Sequence, residues 1–104
     1  MMRQDGAQRL DAALQRVLAH AERLPGGAGE HHVKASAREL GSACLRGEGV
    51  RAAVARLASS VRQLQNELAA GRRRRERHDA AEIERLLEAL QEDLLPELRR
   101  NGLL

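Results

Sequence analysis

The side chains with the widest chemical reach in this 104-residue chain gather in one stretch, "EHHVKASARELG", residues 30–41. It holds His31 and His32, two of the four histidines, and Lys34, the lone lysine among 18 lysines and arginines. On a helix at about 100° per residue, Val33, Ala37, Leu40 and Cys44 cluster on one side, and His31 points almost opposite. Lys34, Ala35 and Arg38 follow His31 by three, four and seven residues, so they share its face. A neutral imidazole in that setting is a nucleophile toward a phosphoryl group. The product gains negative oxygens, which a Lys⁺ or Arg⁺ one or two turns away stabilises. A lysine is a compact point charge on a flexible stem and can follow the group without imposing bidentate geometry. Ala35 leaves room for a donor protein to reach the ring. His32 falls on the flank, out of register with Lys34.

Other chemistries fit the spacing less well. Adjacent histidines project about 100° apart, whereas ligand pairs on a helix sit at i,i+3 or i,i+4. His20, His78 and Cys44 have no ligand-like spacing to them, and no CxxC or HExxH motif occurs, so no metal site and no resident cofactor are expected. Cys44 lies on the apolar stripe and reads as a small buried hydrophobe. Gly41 and Gly47 read as packing or kink residues, since no glycine-rich phosphate loop is present.

The elements that must position these residues are helices. Leu, Ala, Arg, Glu and Gln dominate, and all are strong helix formers. Phe, Tyr and Trp are absent, so the core must be aliphatic. Periodicity predicts four helical segments. The first spans about 8–24, with Leu10, Leu14, Val17, Ala21 and Leu24 on one face and Asp5 as a candidate N-cap. "LPGGAG", residues 24–29, ends it. The second runs from 28 or 29 to 45, and "RGEG", residues 46–49, breaks or kinks the chain after it. The third, about 50–70, carries Val50, Val54, Leu57, Val61, Leu64 and Leu68 in a heptad-like stripe. The fourth opens at Asp79 with Glu82 in a capping-box arrangement. Ile83, Leu86, Leu87, Leu90 and Leu94 form its core face, and Pro96 should kink or restart it. Short connections favour antiparallel neighbours, hence an all-α, up-down four-helix bundle forming a single domain over 1–104, with 1–7 and 100–104 frayed.

The pattern H-x-x-K-[small]-S-A-x-x-L-G at residues 31–41 resembles the phospho-acceptor signature of histidine-containing phosphotransfer (HPt) domains. Typical members read H-x-L-K-G-S-A-x-x-L-G. His31 falls on the phospho-accepting histidine, Lys34 on the lysine, and Ala35 on the small residue, usually glycine. Ser36 and Ala37 match the next pair, and Leu40 and Gly41 the closing pair. The resemblance implies an antiparallel helical bundle of about this size. It implies that His31 relays a phosphoryl group between receiver-domain aspartates while Lys34 stabilises the charge. Ala35, Ser36 and Arg38 would contact the partner, the receiver domain of a response regulator or hybrid histidine kinase. Any Mg²⁺ would belong to that receiver. The chain has no room for an ATP-binding kinase domain. Three departures stand out: Ala35 in place of glycine, a glycine-rich turn close before His31, and "RGEG" after Gly41.

Two other function classes compete. The stripe at 50–68 could form a dimer seam, which would suit a non-catalytic interaction protein such as a chaperone, adaptor or dimeric regulator. The net charge is +3, with positive charge concentrated in "RRRRER", residues 72–77. That run could touch nucleic acid or an acidic partner, although the chain lacks the aromatic platforms on which single strands stack. One cysteine excludes an internal disulfide and fits a reducing compartment. No apolar run resembles a signal peptide or a membrane span, so a soluble, cytoplasmic protein is expected.

Overall fold

The computed structural model describes residues 2–24, 26–70 and 76–104, with the backbone alone at 2–5, 28 and 76–79. Helix α1 spans Met2–Glu22, α2 Ala28–Arg46, α3 Val50–Ala69 and α4 Glu76–Glu88. A π-helical segment, Ala89–Leu94, and a short α5, Leu95–Arg100, continue α4 without interruption. The fold is all-helical, with no strand among the described residues. The arginines at 72–75 lie outside the described residues, as do the side chains of Glu76 and Arg77.

The apolar stripes converge on one aliphatic cluster. Leu14, Val17, Ala21 and Leu24 of the first stripe are buried, as are Val33, Ala37 and Leu40 of the second. Leu57, Val61 and Leu64 on α3 have no exposed surface. The 50–68 stripe therefore lies inside this chain's own core, which removes the feature that suggested a dimer seam. Ile83, Leu86, Leu90 and Leu94 supply the fourth side. Each fully buried leucine contributes roughly 1.5–3 kcal/mol.

Contacts between helices name their neighbours. Ser36 meets Ser60, and Glu39 meets Arg56, across α2 and α3. Glu22 meets Arg38 across α1 and α2, and a Cβ at Gly41 would lie 3.8 Å from Leu18. His20 meets Glu82, and Arg16 meets Asp93, between α1 and the last helical run.

The helix starts differ from the sequence reading. α1 begins at Met2, so Asp5 lies within it and is not its N-cap. α4 begins at Glu76, so Asp79 is likewise internal and the capping box with Glu82 does not form. The residues preceding each Asp are good helix formers, and propagating an existing helix by a turn is easy once it is nucleated. At the C-terminus, Leu103 and Leu104 pack against the core.

"RGEG" is a true break. Gly47 has φ 72° and Gly49 φ 71°, the left-handed region that glycine adopts without penalty. The Gly47 N–H donates to the Cys44 carbonyl at 3.3 Å, and the Glu48 N–H to the Ala43 carbonyl at 3.3 Å, closing α2 with a Schellman motif. Pro96 sits in the first turn of α5. In a continuous α-helix its ring would clash with the Glu92 carbonyl, which would also lack an N–H partner. The wider π turn just before it relieves that conflict without ending the helix.

Candidate functional site

Helix α2 presents the candidate residues, and its start fixes where His31 stands. Gly27 is the N-cap, with extended backbone and no side-chain capping bond. The His31 N–H donates to the Gly27 carbonyl at 2.8 Å, so His31 sits in the first turn. The three N–H groups before it have no intrahelical acceptor, and the positive end of the helix dipole lies there. Side chains on a helix lean toward its N-terminus. The same turn already holds the buried carboxylate side chain of Glu30, directly before His31.

The face is as the 100° rotation predicts. His31, His32 and Ala35 are exposed, while Val33, Ala37 and Leu40 are buried beneath them. Lys34 is half-buried. Its Cβ lies about 5–6 Å from that of His31, one turn on. Among the described residues neither His31 nor Lys34 has an ion-pair partner. Lys34 is a cation available to an incoming group.

Arg38 and Ser36 are differently engaged. Arg38 is exposed but held: its Nε and Nη2 reach Oε1 of Glu22 at 3.0 and 2.9 Å. Glu22 is the last residue of α1. Ser36 Oγ pairs with Ser60 Oγ at 3.0 Å, half-buried between α2 and α3. It bridges two helices. Gly41 is buried, yet a Cβ there would make an ordinary contact, so packing does not require glycine.

Cys44 is half-buried against the core, and burial pushes its thiol up from the ordinary value. A neutral thiol is a poor nucleophile and metal ligand. No cluster of three or more potential metal ligands occurs among the described residues. A cleft of about 350 Å³ between α1 and the π segment is lined by Arg9, Arg16, Asp93, Glu97 and Arg100. Four of its charges are paired, Arg16 with Asp93 at 3.3 Å and Arg100 with Glu97 at 2.6 Å.

Sequence reasoning missed four inward polar groups. Glu30, Glu82 and Glu97 are buried, and His20 is half-buried. His20 Nδ1 and Glu82 Oε2 face each other at 3.4 Å, but their alignment makes no hydrogen bond. The signal was present in the spacing. Glu30 lies three residues before Val33, His20 three after Val17, Glu82 four before Leu86, and Glu97 three after Leu94. Each is thus on its helix's apolar stripe.

No protein-family model, curated protein or solved structure gives a significant match to this chain. No helix among the described residues is long and apolar enough to cross a membrane.

Proposed function

We propose that this chain is a histidine phosphotransfer protein, with His31 as the phosphoryl carrier between receiver-domain aspartates. The observation that carries the reading is the α2 face: an exposed His31, a half-buried Lys34 one turn on with no ion-pair partner among the described residues, and a small exposed Ala35. A ring nitrogen of His31 attacks the phosphorus of an aspartyl phosphate. The P–N bond forms, the acyl P–O bond breaks, and the aspartate leaves as its carboxylate. The proton on the other ring nitrogen stays on the imidazolium or passes to water. Lys34 screens the transferred charge. Onward transfer reverses these bonds on a second receiver. The partner is a receiver domain, whose own Mg²⁺ activates the aspartyl phosphate.

We also read the helices as an up-down antiparallel bundle. Partner numbers fall along one helix as they rise along its neighbour: Ser36 with Ser60 and Glu39 with Arg56, then His20 with Glu82 and Arg16 with Asp93. In such a bundle α2 offers its outer face along its length to a docking protein.

The test is transfer from a radiolabelled phospho-receiver. Acid-labile, alkali-stable label on the wild type that disappears in His31→Gln is expected. Failure to accept label from any receiver encoded nearby would instead favour a non-catalytic interaction protein.

A further inference from the structure

Arg38 is the second cation on the His31 face, and the fold has given it a different partner. Seven residues separate the two, so Arg38 lies about 10 Å further along α2, within reach of a phosphoryl group held on an extended imidazole. Both its Nε and its Nη2 are instead directed to a single carboxylate oxygen of Glu22, at 3.0 and 2.9 Å. Lys34 has no such competitor among the described residues. The same face thus carries one available cation and one neutralised cation.

That arrangement bears on how long a phosphoryl group would stay on His31. Guanidinium–phosphate contacts are planar, bidentate and strong, whereas an ammonium acts as a point charge. Two cations on the phosphoryl oxygens would favour the phosphorylated state and slow release to the next aspartate. Resting on the phosphotransfer reading, we infer that Glu22 is a positioning residue. By holding Arg38 at the end of α1, it keeps phosphohistidine short-lived and reversible, with Lys34 as its side-chain cation among the described residues. Glu22 touches no reacting atom and acts only through Arg38.

The clamp is an exposed pair, with side chains 62% and 47% accessible. Such pairs are weak and salt-sensitive, so releasing Arg38 should change the lifetime by about two- to fivefold and no more. The experiment charges the full chain with phosphoramidate, a small phosphoryl donor that needs no receiver. Decay of the His31 phosphoryl group is then followed by ³¹P NMR at low and high salt.

Glu22→Gln should lengthen the half-life about two- to fivefold at low salt. The gain should shrink at high salt and vanish when Arg38→Gln is added. A merely structural role for Glu22 would leave the lifetime unchanged and alter only the melting temperature. Normal labelling of His31 with identical half-lives in wild type and Glu22→Gln overturns the clamp alone. No label on His31 in the wild type overturns the phosphotransfer reading, and the clamp with it.

Discussion

His20 and His31 sit on successive helices of one small bundle, in opposite settings. His20 turns into the seam between α1 and α4, where Glu82 Oε2 lies 3.4 Å from its Nδ1. His31 stands on the outer face of α2 with no polar partner among the described residues and an unpaired Lys34 one turn away. The inner histidine is half-buried and faces a carboxylate. The outer one is exposed, on the side of α2 away from buried Val33 and Ala37. Residue type is the same in both places. What separates the two settings is rotation about the helix axis, which turns His20 toward Glu82 and His31 toward solvent.

Substitutions around the two histidines test that contrast. The largest structural loss is expected on the inner side, from Leu86→Ala. Leu86 is fully buried, one turn beyond Glu82. Its truncation should cost about 2–5 kcal/mol in urea unfolding. A loss below about 1 kcal/mol would mean that the α1–α4 seam is looser than the contacts indicate.

His20→Leu should cost about 0.5–1.5 kcal/mol, from loss of the 3.4 Å polar contact alone, since Glu82 Oε2 already lacks a hydrogen bond. Adding Glu82→Leu should recover most of that loss, since removing both polar groups from an aliphatic seam is close to neutral. Strictly additive losses in this double-mutant cycle would show that the two side chains are not coupled.

On the outer side, Lys34→Gln should leave the unfolding midpoint in place and slow phosphoryl transfer about tenfold, the worth of one charge-assisted hydrogen bond. Equal rates would remove Lys34 from the site.

The smallest effect concerns Cys44. Burial raises its pKa, so the folded state favours the neutral thiol. The stability this adds is fully present below the pKa of the unfolded thiol and is lost as pH rises through the folded value. Alkylation of the native protein should therefore set in at a higher pH than alkylation of the urea-unfolded chain. Coincident pH profiles would place the thiol in water.

Much of this contrast was legible in the sequence, and the reason is geometric. A rotation of about 100° per residue assigns faces without any knowledge of the fold. The outward His31 and the inward Val33, Ala37 and Leu40 followed directly. So did the three long interior stripes, because burial of aliphatic side chains is non-directional and needs only periodicity. Helix starts were less legible. Asp5 and Asp79 carry capping side chains, but the residues before them are helical too, and local preference lost to propagation.

The inward glutamates were readable in spacing and were overlooked because charge argued for the surface. Cross-helix partners were not readable. That Arg38 meets Glu22, or Ser36 meets Ser60, depends on the relative rotation and offset of two helices, which no single-helix pattern contains. The arrest of the last helix into a π turn depends on how Pro96 is accommodated, for which a kink or a fresh start were equally open.

The most direct test is to find which of the four histidines carries the phosphoryl group after incubation with a phosphorylated receiver. Peptide mapping under alkaline conditions, which preserve phosphohistidine, locates it. The account predicts one phosphoryl group on His31 and none on His20, His32 or His78. Label on His32 in place of His31, or a chain that stays unmodified while the receiver loses its phosphate to water, would contradict it.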